Sequence, residues 1–275
     1  MLVLAIYIII IVFVLFIYLG RRCEHFNNYE AKYIQKIPFI ICVTHEEIAC
    51  ENNLNLIKKL NPEYKVLFFD NSSRIKFIKQ YFNTRVLNAY QKLIPGAYKA
   101  DLFRYCFLFH QGGVYIDINK KLVIPLREII NPKASMGLVL NSNHKIGEPP
   151  KIANGFIYIG PQHNLMAQCI DQCVTNIENN FYGNSSLSVT GPYMFGSVFY
   201  RIYNTSLFSL GYGLHFHDDT LIHVLKYIEN EQIVDIVTGK KVISFTERQD
   251  CKTSFTIQSY GYLWSNQKIY LNENK

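Results

Sequence analysis

Charge is scarce in this sequence and unevenly placed. Asp, Glu, Lys and Arg make up 18% of the 275 residues, and the first nineteen, MLVLAIYIIIIVFVLFIYL, contain none of them. No clustered basic stripe and no nucleic-acid motif accompanies the net charge of +7, so the excess points to a small anionic partner or an acidic surface rather than to nucleic acid. Seven cysteines, an odd number, show no metal-ligand spacing, and Cys169 and Cys173, one helical turn apart, read as buried thiols. His215-x-His217 lacks the second half of a zinc signature. No side chain stands out as an enzymatic nucleophile. What remains is ample for a core: 49% hydrophobic and 15% aromatic residues exclude disorder, and the length holds one sizeable domain or at most two small ones.

The uncharged start would span roughly 28 Å as a helix, close to the hydrocarbon thickness of a bilayer. Gly20-Arg21-Arg22 closes it and no small-residue cleavage site follows, so residues 1–20 read as a transmembrane anchor, 21–36 as a polar stem and 37–275 as the folded domain. Arg21 and Arg22 flank the C-terminal side of the segment, and the positive-inside tendency would put the domain in the cytosol.

Residues 97–126, AYKADLFRYCFLFHQGGVYIDINKKLVIPL, organise the rest. From Tyr98 to His110 there is no Gly or Pro, and Leu102, Cys106 and Phe109 recur at helical spacing. Asp101 and Arg104, three apart, share one helix face. Gly112-Gly113 supplies backbone freedom for a reversal, and Val114-Tyr115-Ile116 reads as a short strand. Period two along that strand sends Asp117 and Asn119 to the same side. Two oxygen-bearing tips at a strand's C-terminal end suit Mg²⁺ or Mn²⁺ carrying a diphosphate.

Ala97, Ala100-Asp101-Leu102, Arg104-Tyr105, Gly112-Gly113-Val114-Tyr115, Asp117 and Pro125-Leu126 together resemble the signature of the glycosyltransferases with a DXD sugar-binding motif. This is the family of yeast initiating mannosyltransferases and bacterial capsular sugar transferases. One position departs: the second motif acid is Asn119, whose amide oxygen can meet a hard cation but brings no charge. Lys120 and Lys121 follow directly and would partly neutralise a diphosphate.

Around this stretch, Phe39 to Val43 reads as a buried first strand, Glu46 to Leu60 as a helix ended by Asn61-Pro62, and Val66 to Phe69 as a second strand. Asp70-Asn71-Ser72 begins a further helix, so the order is β-α-β-α-α-β, which predicts a mainly parallel sheet flanked by helices. Met136 to Leu140 and Phe156 to Ile159 read as strands, and Leu165 to Phe181 as a helix. Thr190-Gly191-Pro192 matches a family turn that presents backbone N–H groups at a helix start. His215-x-His217 reads as part of a loop.

The resemblance implies an α/β, GT-A type nucleotide-sugar-binding fold with an N-terminal transmembrane helix. It implies a retaining hexosyltransferase that takes mannose, galactose or glucose from a UDP- or GDP-sugar to a glycan, glycolipid or protein acceptor. Asp117 and Arg104 would be catalytic. Asp101, Asp117, Thr44, Asn154 and Trp264 would bind the donor, and Asn119, Asp117, His217 and Asp218 would hold Mn²⁺ or Mg²⁺, weakened by Asn119. Residues 1–19 would fix the enzyme in a Golgi, ER or other internal membrane. The resemblance places the domain in the lumen, against the charge rule, and both orientations stand. An inactive sugar- or glycan-binding relative is the alternative reading of Asn119.

Overall fold

The computed structural model describes residues 37–45, 51–141, 151–217, 219–228, 232–245 and 259–271. The expected anchor and stem, and Asp218, lie outside the described residues. No helix among those described is long and apolar enough to cross a membrane.

Lys36–Lys275 forms one compact unit. Its first half follows the expected alternation: β1 (Ile40–Thr44), α1 (Glu51–Leu60), β2 (Lys65–Phe69), α2 (Asn71–Tyr81), α3 (Thr84–Lys92), α4 (Gly96–Gln111) and β3 (Gly113–Ile116). β1 pairs in parallel with both β2 and β3, so Thr44, Asp70 and Asp117 follow strand ends on one edge of the sheet. Asp70 there caps α2, its Oδ1 accepting from Ser73 N at 2.7 Å.

The second half departs from the mainly parallel expectation. β4 (Lys120–Leu122), β5 (Met136–Asn141), β6 (Ile152–Ile159), β7 (Gly213–His217), β8 (Thr220–Ile228), β9 (Gln232–Asp235) and β10 (Lys240–Phe245) complete a ten-stranded sheet in the order β2-β1-β3-β6-β5-β8-β9-β10-β4, with β7 also on β8. Among the described residues β1–β2, β1–β3 and β5–β8 pair in parallel and the other pairings are antiparallel, so the sheet is mixed. The reason lies in the connections. Only two, three and four residues separate β7 from β8, β8 from β9 and β9 from β10, and connections that short permit only antiparallel neighbours. The histidine pair expected in a loop sits on β7.

Both faces of the sheet are covered, and the strands sort their side chains by period two. Cys42, Tyr115, Ile157 and Ile159 join the core beneath α4, α5 (Asn164–Glu178) and α6 (Pro192–Tyr203). Ile41, Val43, Val114, Ile116, Phe156 and Tyr158 join the core on the side of α1 and the 3-10 turn at Leu126–Glu128. Two-sided burial explains why these strands read as continuous apolar runs. Cys42, Cys106, Cys169 and Cys173 are buried free thiols.

The Gly112-Gly113 corner delivers the chain from α4 to β3. Both residues have positive φ, at 64° and 91°, and Gly112 N closes the helix on Leu108 O at 2.9 Å. A Cβ on Gly113 would overlap Ile40 O, and one on Gly112 would lie 2.6 Å from Pro161 N. Asn61 ties down the far side, accepting from Leu126 N at 2.7 Å and donating to Ile57 O at 2.8 Å.

Candidate active site around Asp101, Arg104 and Asp117

α4 is packed between the sheet and α5, so even its polar residues are buried: Asp101 is 8% and Arg104 4% exposed. A buried charge needs a partner, and here three charged groups answer one another. Arg104 Nη2 lies 2.9 Å from Asp101 Oδ1 and 3.3 Å from Asp117 Oδ1. Its Nη1 donates to Asn154 O, and the guanidinium sits 4.4 Å from the centre of the Tyr115 ring. Burial alone would lower the Arg104 pKa, but Asp117, Tyr115 and Asp101 hold it above the ordinary arginine value. Burial raises the Asp101 carboxyl, and the Arg104 charge and the hydrogen bonds from Thr190 and Asn154 oppose that rise.

Hydrogen bonds fix both Asp101 oxygens and Asp117 Oδ1. Asn154 Nδ2 donates to Asp101 Oδ1 at 2.9 Å and to Tyr105 OH at 3.1 Å, which uses both amide hydrogens. Thr190 Oγ1 donates to Asp101 Oδ2 at 2.8 Å, while Tyr105 OH donates to Thr190 O at 3.0 Å. Tyr115 OH gives its proton to Asp117 Oδ1 at 2.9 Å, so at 3.1 Å it must accept from Thr44 Oγ1. One network thus joins β1, β3, β6, α4 and the start of α6. Asp101, Arg104, Asp117, Thr44 and Asn154, all expected site residues, come together in it.

Asp117 is the member that reaches solvent, its side chain 31% exposed against 5% for Arg104. Its backbone N bonds Gly155 O at 2.9 Å, extending the β3–β6 ladder by one rung. The carboxylate crosses Gly155 so closely that a Cβ there would overlap Asp117 Oδ2; the same Cβ would lie 3.5 Å from Lys120 Cε. Asp117 and the largely buried Lys120 therefore meet over one glycine.

The expectation that Asp117 and Asn119 share a strand face is corrected. β3 ends at Ile116, and Lys120 N bonds Asp117 O at 2.9 Å, closing a turn in which Ile118 is buried and Asn119 exposed. Period two does not extend into a turn. Asn53 of α1 holds this turn from below, its Nδ2 donating to Ile118 O at 2.5 Å and Lys120 O at 3.0 Å. Nothing in the sequence marks that amide in the first turn of α1. Tyr105, Tyr115, Thr190 and Gly155 were also missed as site side chains, although the first three stand inside matched motifs.

Two expected residues have other commitments. Trp264, in α7 (Tyr260–Ser265), donates its indole N–H to Tyr182 O at 2.7 Å. His217 Nε2 lies 2.7 Å from Tyr203 O, which makes that nitrogen a donor and not a metal ligand. Among the described residues no group of three His, Cys, Asp or Glu is arranged to hold a metal. The Asp117 turn offers one carboxylate and one amide oxygen, a donor set that fits a hard cation only if phosphate oxygens complete it.

Residues 49–136 match the family model described as the glycosyltransferase sugar-binding region containing DXD motif. Over those residues the chain is similar to that family's sugar-binding region. That region contains α1, α4, β3 and the Asp117 turn, and the network extends beyond it to Asn154 and Thr190. The chain is 22% identical over 204 residues to a mannosyl phosphorylinositol ceramide synthase of Saccharomyces cerevisiae, covering 66% of this chain and 51% of the yeast protein. It is 38% identical over 61 residues to a glycosyltransferase of Acanthamoeba polyphaga mimivirus, covering 22% of this chain and 24% of the viral one. The match thus spans about half the length of the yeast relative and about a quarter of the viral one. Among solved structures, the PaToxG glycosyltransferase is similar at a TM-score of 0.48 and 15% identity, over 68% of this chain and 77% of that one.

Proposed function

We propose that the chain is a GT-A type hexosyltransferase that moves a sugar from a nucleoside-diphosphate donor to a hydroxyl-bearing acceptor. The observation that carries this reading is the buried Arg104 guanidinium held by Asp101, Asp117 and the Asn154 carbonyl, with Asn154 and Thr190 side chains bonding Asp101, at the sheet edge where ligands of such folds bind. The name of the yeast relative makes mannose the first sugar to test, and retention of configuration follows from the family resemblance.

In this reading Arg104 is a positioning residue. It is too deeply buried to meet a diphosphate, and it fixes Asp117 with one oxygen engaged and Oδ2 over Gly155. Asp117 then orients donor hydroxyls. As the bond from the anomeric carbon to the diphosphate breaks, the acceptor oxygen bonds that carbon and the acceptor proton leaves with the diphosphate. Charge developing on the leaving group needs a cation nearby. The cations at hand are Lys120, beside the same glycine and largely buried, and the exposed Lys121 that follows it; a divalent ion held by Asp117, Asn119 and the phosphates would supply further charge when bound. Residues 1–19 would anchor the enzyme to an internal membrane.

The test is donor hydrolysis and sugar transfer by the full chain, screened over UDP- and GDP-sugars with and without Mn²⁺. Asp117→Ala should lower turnover by about a hundredfold or more while leaving the melting temperature near wild type. Full activity in that variant would refute the site. A second reading, a non-catalytic nucleotide-sugar binder, rests on Asn119. It predicts donor-dependent thermal stabilisation with no turnover under either condition.

A further inference from the structure

Asn53 is 5% exposed and stands in the first turn of α1, against the chain that carries Asn119 and Lys120. Its Nδ2 donates to Ile118 O at 2.5 Å and to Lys120 O at 3.0 Å. A primary amide is the one uncharged side-chain group with two N–H bonds on a single nitrogen, and both are used here. The 118–119 and 120–121 peptides are thereby fixed. The peptide between them is fixed by Lys120 N on Asp117 O at 2.9 Å. Every peptide plane beside Asn119 and Lys120 is set, and with it the direction in which each side chain leaves the backbone.

Stability alone is a poor account of this arrangement. Asn53 Oδ1 has no hydrogen-bond partner, and it is the one such buried side-chain oxygen or nitrogen among the described residues. A buried acceptor left unpaired is destabilising, which offsets much of what the two donated bonds contribute. Asn61, one residue past the end of α1, offers a comparison. It too is buried and bonds the chain beyond β3, but it uses both ends of its amide. Oδ1 accepts from Leu126 N at 2.7 Å and Nδ2 donates to Ile57 O at 2.8 Å. α1 therefore grips the segment after β3 at two points, through a fully bonded amide at Leu126 and a half-bonded one at the turn.

The same β-α unit reaches Asp117 by a second route. Thr44, at the end of β1, donates to Tyr115 OH at 3.1 Å, and that hydroxyl donates to Asp117 Oδ1 at 2.9 Å. β1 thus orients the carboxylate while α1 holds the turn that follows it. Asp117 and Lys120, which meet over Gly155, are both placed from one β-α unit.

We propose that Asn53 is a positioning residue for the candidate site, holding Asn119 and Lys120 where they meet the donor's diphosphate. The part in catalysis rests on the transferase reading above; the hold on the turn does not. The test uses the full chain with Asn53→Leu, which fills a similar volume without donors, and Asn53→Asp, which keeps the shape. Amide hydrogen exchange at Lys120 should quicken by about tenfold or more in both variants, while Asp117 N, bonded to Gly155 O, keeps its wild-type rate. Melting temperatures should stay near wild type. In donor hydrolysis kcat should fall by about tenfold or more and the donor KM should stay within about twofold, because charge on the leaving group develops only in the transition state. Asn61→Ala is the control, and it should lower the melting temperature while leaving kcat close to wild type. The proposal is overturned if Lys120 exchange is unchanged, if the β3 amides quicken with it, or if kcat survives in the Asn53 variants. It is overturned equally if Asn61→Ala loses as much kcat as they do. A wild-type chain that hydrolysed no nucleotide sugar would refute the transferase reading, and the exchange rates would still decide whether Asn53 holds the turn.

Discussion

Asp117 Oδ1 receives both the Tyr115 hydroxyl and Arg104, and Oδ2 lies where a side chain at 155 would begin. Gly155 therefore sets the carboxylate's position by having no Cβ. Gly155→Ala must push Asp117 aside, and a displacement of about 1 Å in a reacting group costs about a hundredfold in rate. We expect that loss in donor hydrolysis with a near-native melting temperature; unchanged turnover would mean that Asp117 is not a reacting-site ligand. Asn119 poses the complementary question. It is exposed, in the turn that follows, so Asn119→Asp adds a charge without disturbing a buried contact. A second carboxylate raises the attraction for a hard cation, and half-maximal activity should come at roughly tenfold lower Mn²⁺. If the variant's metal response overlays the wild type, Asn119 does not face the metal.

At the scale of elements, α4, the glycine corner and β3 are legible because each rests on a local rule: uninterrupted helical spacing, two residues free of Cβ, and a β-branched run. The structure keeps those boundaries within two residues. Gly113→Ala should therefore lower stability by roughly 2 kcal/mol or more in urea denaturation, because φ is 91° and the new methyl meets Ile40 O. A wild-type midpoint would show that the corner can relax. Other elements were not legible for equally physical reasons. β7 exposes its large apolar side chains, Leu214 and Phe216, and half-buries its histidines, so its alternation points the wrong way for a core strand. The β-α order that suggested a parallel sheet says nothing about β7 to β10, which only two to four residues separate. The amide clamp from Asn53 joins residues 65 and 67 apart, a distance at which one sequence carries no pairing information.

For the whole molecule, burial of imidazoles ties stability to pH. His163 caps α5 by accepting from Leu165 N at 3.2 Å through Nδ1, a contact available only to the neutral ring. Burial lowers its pKa from 6.5 to about 4, and burial also lowers His223 and His110. An imidazole whose folded pKa is depressed contributes stability above the unfolded value, and that contribution is lost as pH falls through 6.5 towards 4. Asp101 acts in the opposite sense, since its raised carboxyl favours the folded state at acid pH and loses that effect as pH rises. One carboxyl answered by Arg104 is set against three imidazoles, so the net expectation is a melting temperature that falls between about pH 7 and pH 4.5. His163→Asn isolates the largest share, because Asn keeps a capping oxygen that does not titrate in this range. Its melting temperature should fall less steeply over the same window, the slope that remains belonging to His223 and His110 and, at the acid end, to the lowered Glu63, Asp70 and Glu178 carboxyls. Parallel curves for the two proteins would show that His163 is protonated with no loss of its cap, and that the acid sensitivity of the fold arises elsewhere.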